Sequence, residues 1–401
     1  VVVQDSALRQ NVFSGLALSQ HGIGDAQARF ASVLADDNGT GLFVGATEAG
    51  TTFVSMRDVA AGGNVGFGIG IVQLESDTAI SELADSAGTG NDGDGFLIQQ
   101  NAVGTALVEL TGNSVTGNAG SGAYVLQTAS TLAQTDVSRM AANGNDDNGI
   151  VLVQIQNDLA TIRIADSAAN GNGDAGLTAI QGQADLAVAA IGGLQADNNG
   201  NGLLVQQVDV GVALANVSEA SANDNAGRGI LLQQVSDVAS VGIVGMPDGL
   251  ATSVAGIADL LGLALPDEIA PFFGPSGAVT ASGNGSDGLL HFNTTEGIVA
   301  LSGLFDATLD NNAANGAILQ TIATNGFAVN LLGSSANWAE LAQLGAQVGD
   351  LFDVDLPLAL AGDGRFQANG NGAVGVISLT FGEWAAVNAA VGAEASGNAS
   401  I

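Results

Sequence analysis

The sequence predicts an all-β chain, a parallel β-solenoid of about 12 rungs, on three observations. A glycine returns at Gly15, Gly41, Gly68, Gly95, Gly122, Gly149, Gly176, Gly202, Gly229, Gly288, Gly316 and Gly375, at spacings of 26 to 28 residues except for two of 59. An asparagine stands four residues before nearly every one of them, and a glutamine takes the sixth place of many copies. Just past each glycine, large aliphatic residues alternate with others. A period of this kind means stacked supersecondary units that bury a continuous core only as an array.

Each rung resolves into three strands. The second and fourth places are aliphatic or aromatic, as in Leu203 and Val205, Ile150 and Leu152, or Phe96 and Ile98, and this alternation marks a strand with those side chains inward. A second alternation at places twelve, fourteen and sixteen, as in Ala160, Ile162 and Ile164 or Ala213, Ala215 and Val217, marks another. A weaker third run, with Ala220 and Ala222, leads into the asparagine turn. Stacked rungs lie about 4.8 Å apart, so identical amides at one corner can bond the rungs on either side. The asparagines Asn64, Asn91, Asn118, Asn145, Asn172, Asn198 and Asn225 are therefore read as a structural ladder, with Asn38 one place late. The glutamines Gln73, Gln100, Gln127, Gln154, Gln181, Gln207 and Gln234 are read as a second. Asparagine tolerates the left-handed conformation a corner needs, and the glycine after it lets the chain turn into the next strand.

The phrase Asn-x-x-x-Gly-aliphatic-x-aliphatic, as in NDDNGIVL, NAGRGILL and NGSDGLLH, resembles the repeat of right-handed parallel β-helix proteins, the pectate-lyase-like superfamily. It covers nearly the whole chain, which makes residues 1–401 one β-helix domain. Right-handedness is implied by this resemblance, whereas the period alone implies only a solenoid. Activity is not implied, because that superfamily holds lyases and hydrolases as well as tailspikes and surface proteins. Here the resemblance is to its non-enzymatic surface or structural type.

The two 59-residue spacings each hold an insertion just after the second strand, at about 246–277 and 334–363. Leu250, Val254, Ile257 and Leu261 keep helical spacing in the first; Trp338, Leu341, Val348 and Phe352 do so in the second, after Asn337 and Glu340 as a capping box. Both leave the same corner, separated by one ordinary rung, so two helices packed side by side are expected, as a lid over core or as a docking surface.

Places three and five should face outward, yet they carry Phe43, Leu97, Tyr124, Val151, Leu204 and Leu231, with Val72, Leu126, Val153 and Ile180 beside them. Unless the inward set is reversed or the corner is doubly covered, this apolar strip points to a buried interface. The interface candidates are thus Leu97, Tyr124, Leu126, Val151, Val153, Leu204, Leu231, Trp338, Leu341 and Phe352.

Acidic residues outnumber basic ones forty to seven, the net charge is −33, and every basic residue is arginine. Such a surface excludes nucleic acid and anionic lipid as partners and suits a saline or calcium-containing exterior. No run of apolar residues is long enough to span a bilayer. The chain opens on Val1 in mid-rung, as a processed chain or a piece of a longer one would. With no lysine, the His and Arg-x-Lys set of a β-helix hydrolase cannot be assembled, and His21 and His291 stand far apart as surface or core-edge residues. No catalytic residue and no cofactor is assigned. Asp158 and Asp185 share the tenth place on adjacent rungs and could begin a calcium site, which needs several oxygen ligands. Glu109, Asp136 and Arg163 form a mixed column, and Arg139 neighbours Asp166. The functional expectation is a secreted or cell-surface structural subunit that polymerises into a filament, tube or coat. A polysaccharide-binding or polysaccharide-degrading β-helix and a segment of a calcium-dependent adhesin are the alternatives.

Overall fold

The computed structural model describes residues 1–246, 276–334, 365–391 and 393–398. It is a parallel β-solenoid of the right-handed type, with about 12 turns repeating roughly every 27 residues and no helix among the described residues. The insertions expected at about 246–277 and 334–363, with Trp338, Leu341 and Phe352, lie almost wholly outside the described residues.

The strands gather into two compact units. Val1–Ala187 with Leu194–Gly211 make the N-terminal unit, and Val188–Gly193 with Val212–Ile401 make the C-terminal unit. In the N-terminal unit the first strand of each rung pairs in parallel with the next, so that Phe96, Ala123, Ile150, Leu177 and Leu203 form one column. The second strands do the same through Ala106, Ala133 and Ala160. The third is short: Ala87–Thr89 pairs with Ser114–Thr116, and single bridges continue to Ala141 and Ala168. In the C-terminal unit the column Ile230, Leu289, Ala317, Val376 crosses both 59-residue spacings without a slip. Register survives because a one-residue slip would turn every inward side chain outward.

The inward set is as read. Phe96, Ile98, Ile150 and Leu152 are fully buried, as are Ala160, Ile162 and Ala213, with Leu203 and Val205 nearly so. The short third run adds Ala220 and Ala222.

The corners correct one expectation. The ladder asparagines and the repeat glycines do not hold the left-handed conformation. It falls one residue before the asparagine, at Gly63, Gly90, Gly117, Gly144 and Gly171, and at two further corners, one with Glu48, Glu75, Gln156 and Asp209, the other with Asp58, Asp85, Arg139, Asp166 and Glu219. The repeat glycine is required for a different reason: a Cβ on Gly122 would stand 2.5 Å from the Gly149 carbonyl oxygen and 2.8 Å from Asn145 Nδ2. Successive rungs touch there, and only a bare backbone fits. Since left-handed corners favour short polar residues and point outward, they collect many of the carboxylates.

Candidate functional site

Two interior ladders hold the rungs together. Each asparagine Oδ1 accepts both the backbone N–H and the Nδ2–H of the asparagine one rung earlier, at 2.8–3.1 Å for Asn64 to Asn91, Asn91 to Asn118 and Asn118 to Asn145. The second Nδ2 hydrogen goes to a backbone carbonyl, as from Asn118 to Gly88 at 2.9 Å. Asn145 bonds Asn172 in the same way, and Asn172 continues to Asn199, not to the expected Asn198. Asn199 is buried, whereas Asn198 is exposed with φ +60° and occupies the left-handed corner. Rungs of 26 residues lose their residue between the asparagine and the glycine, which is also why Asn38 stands three residues before Gly41 and still joins the ladder. Asn225 carries the same pattern to Asn284 and Asn312 in the C-terminal unit.

The glutamine column is equally regular in the N-terminal unit. Gln100, Gln127, Gln154, Gln181 and Gln207 each donate from Nε2 to Oε1 of the preceding glutamine, starting at Gln73, over 2.8–2.9 Å. Ser81 and Thr135, from the facing strand, donate to Gln73 and Gln127 Oε1 at 2.8 Å. In the C-terminal unit this interior changes character. Gln234 pairs in register with Asn293, then Thr321, then Thr380. His291 enters a column of leucines, between Leu232 and Leu319, with its Nε2 3.3 Å from Gln234 Oε1. Room for its ring comes from Gly242, where a Cβ would collide with that ring and with Gln234 Oε1. His291 is thus a core residue, fully buried, and burial lowers its pKa from 6.5 to about 3, so the ring is neutral. Its Nδ1, Asn293 Oδ1 and Ser240 Oγ are buried without a hydrogen-bond partner among the described residues. His21 lies on the surface, 3.5 Å from Glu48.

The outward face of the first sheet is a wall without a carboxylate or guanidinium. In the N-terminal unit its columns are Phe43, Gly70, Leu97, Tyr124, Val151, Thr178 and Leu204, then Val72, Gln99, Leu126, Val153, Ile180 and Gln206, then Leu74, Asn101, Thr128, Ile155, Gly182 and Val208. Leu97, Tyr124, Leu126 and Leu204 are half-buried, while the shorter Val151 and Val153 sink between their neighbours to 7% and 9% exposure. Near Gly70 the wall levels itself: the Phe67 ring occupies the space a Gly70 side chain would need and tilts against Phe43 with centroids 6.3 Å apart. Within the C-terminal unit the outward side of the first strands carries Leu231, Leu290, Ile318 and Ile377, with Phe292, Leu379 and Phe381 beside them. Leu231 is half-buried, and Phe381 is 55% exposed.

Carboxylates border this wall on both sides. Glu48, Glu75, Asp77, Asp158, Asp185 and Asp209 are exposed along the corner where the first strand ends. Asp92, Asp146, Asp147 and Asp174 are exposed on the turn that enters it. Asp94, on the same turn, has its pKa raised by burial, against a Ser121 N–H bond that favours the anion, with Asp147 adding repulsion. Asp158 and Asp185 do stand on consecutive rungs, joined by the Leu186 N–H to the Asp158 carbonyl at 3.0 Å. Among the described residues no group of three or more His, Cys, Asp or Glu gathers there or elsewhere to hold a metal. Asp136 is in register with both Glu109 and Arg163, and its carboxylate accepts from Gln134 Nε2 at 2.6 Å. No helix among the described residues is long and apolar enough to cross a membrane.

Comparison with known protein families, with curated proteins and with solved structures finds no match for this chain.

Proposed function

We propose that this chain is a structural subunit of a secreted or cell-surface assembly, a β-solenoid that associates with copies of itself into a filament, tube or coat. The observation that carries this reading is the segregation of charge: a chain of net charge −33 keeps the outward face of its first strands free of carboxylates and guanidinium groups and lines the corners beside that face with carboxylates. Without a partner, such a face gains nothing from excluding charge; against a partner, each excluded carboxylate avoids a desolvation cost. The acidic corners suit a saline exterior, where screening lowers self-repulsion.

Electron microscopy of the purified chain at seawater-like ionic strength, with and without a calcium chelator, tests this. Ordered filaments, tubes or sheets are expected. Dispersed single particles in every condition would overturn self-assembly. Loss of order on chelation would assign calcium a bridging role, with the exposed carboxylates, Asp158 and Asp185 among them, as its ligands. A second reading, polysaccharide binding, is favoured by Trp384. This side chain is 61% exposed, packs edge-on against Phe327 with ring centroids 5.5 Å apart, and shares a rung with the exposed Phe381. Exposed aromatic faces of this kind stack on sugar rings, and affinity electrophoresis in acidic polysaccharide gels would detect it.

A further inference from the structure

We infer that the uncharged wall of the N-terminal unit is an isologous docking face, which a second copy of this chain covers with the same wall. This rests on the self-assembly reading and adds the surface and the partner to it.

Three features single out the occupant. The first is area. Seven first strands of about seven residues make up this wall, from Thr40–Thr47 to the strand beginning at Asn201. At about 4.8 Å per rung and 3.3 Å per residue it covers roughly 780 Å², close to the share one partner contributes to a stable interface, about 800 Å². The second is pitch. Side chains on the wall stand in rows one rung apart, with the large Leu97, Tyr124, Leu126 and Leu204 raised and Val151, Val153 and Gly182 low. Rows at a fixed pitch interdigitate along their whole length only with rows of the same pitch, and a second copy supplies them. The third is charge. A basic partner would set its cations against an uncharged centre, and an acidic one would meet carboxylate rims with no arginine on the wall to attract it. A second copy buries an uncharged centre and leaves both pairs of rims in solvent, where salt screens them.

The rims give the association a signature. Glu48, Glu75, Asp158, Asp185 and Asp209 on one side, and Asp92, Asp146, Asp147 and Asp174 on the other, face like charge in either relative direction of the two copies. Added sodium chloride therefore strengthens this dimer, the reverse of an ion-paired interface.

The test is sedimentation velocity of the full chain and of Leu126→Glu and Leu97→Glu/Leu126→Glu variants between 0.05 and 1 M sodium chloride. The expected result is a dimer or larger species that grows with salt for the native chain and a dissociation constant weakened at least ~30-fold in the double variant. Circular dichroism verifies that the variants stay folded. Since the chain has no cysteine, Leu126→Cys offers a second readout that requires no loss of stability. Mild oxidation should cross-link Leu126→Cys copy to copy and leave Asp136→Cys, on the neighbouring sheet, uncross-linked. If the native chain assembles and the wall variants assemble equally, the wall is overturned while self-assembly stands. A native chain that remains monomeric at every salt concentration overturns both. Assembly that weakens with salt overturns the uncharged wall in favour of an ion-paired contact.

Discussion

The interiors of the two units solve one problem in different ways. In the N-terminal unit the buried polar column is one residue repeated, glutamine from Gln73 to Gln207 with Ala46 before it, and each amide finds its donor and acceptor on the adjacent rungs. In the C-terminal unit the same column runs glutamine, asparagine, threonine, threonine, and a histidine enters beside it. There Ser302, Thr321 and Asn330 still form a chain, which Asn330 Nδ2 extends to Ser378 Oγ at 2.9 Å. But His291 Nδ1, Asn293 Oδ1 and Ser240 Oγ have no partner among the described residues. Amides tolerate burial when the lattice repeats them at the rung pitch, and each change of side-chain length leaves atoms behind.

The largest expected effect comes from breaking the regular column. Gln127 donates to Gln100 Oε1 and to the Ala106 and Gln134 carbonyls, and accepts from Thr135 and Gln154. Gln127→Ala leaves a cavity and several orphaned groups, and should lower stability by about 3–5 kcal/mol in chemical denaturation. Asn293→Leu in the irregular column removes an already unpartnered oxygen together with one bond, from Nδ2 to the Leu301 carbonyl at 2.8 Å, and should cost less, about 1–2 kcal/mol. Equal losses at the two sites would erase the distinction.

An intermediate effect is expected from pH. Burial holds His291 at about 3 in the folded chain, while the unfolded chain has the ordinary 6.5. Between those values the unfolded state takes up a proton that the folded state refuses. The contribution is therefore full above pH 6.5 and is lost as pH falls toward 3, at up to about 1.4 kcal/mol per pH unit. His291→Leu, which matches Leu232 and Leu319 on the flanking rungs, should flatten the fall in thermal midpoint between pH 6.5 and 4.5 relative to the native chain. An unchanged pH profile would show that His291 is not the acid-sensitive group.

The smallest effect belongs to Asn198, beside a ladder residue of the same type. Asn198→Gly keeps the left-handed corner and should change stability by under ~0.5 kcal/mol, whereas Asn199→Ala, its control, breaks the ladder and should match the large loss of Gln127→Ala. Similar thermal midpoints for the two variants would remove position, rather than residue type, as the cause.

The rung was legible because the lattice forces the same residue at the same contact: glycine where rungs touch at Gly122, asparagine where amides stack at Asn118. The misreading of Asn198 for Asn199 arises from counting back four residues from Gly202. Asn38, three before Gly41, already carried the signal that a 26-residue rung is short on that side. The left-handed corners at Asp58, Asp85 and Asp166 were hidden because aspartate is equally ordinary on any acidic surface. His291 was hidden for the opposite reason: it replaces an aliphatic residue in a column that otherwise predicts none. Gly242, bare in a facing column that elsewhere carries Ser81 and Thr135, was the only mark of the space its ring would fill. The wall was legible as an apolar strip, but its acidic borders were not, since they depend on which corners the turns bring to its edges.

The asparagine ladder also has a bearing on how such a chain changes over generations. Every rung in the middle of the N-terminal unit satisfies its amides with the rung before and the rung after, so no rung there holds a privileged position. Excising residues 122–148, one whole 27-residue repeat, would join Ser121 to Gly149 and bring Asn118 against Asn172, Gln100 against Gln154 and Leu97 against Val151. Each new neighbour is the kind that was lost. Unequal recombination between repeats can therefore shorten or lengthen the stack in steps of about 4.8 Å, and the gene keeps a ruler whose graduations are interchangeable.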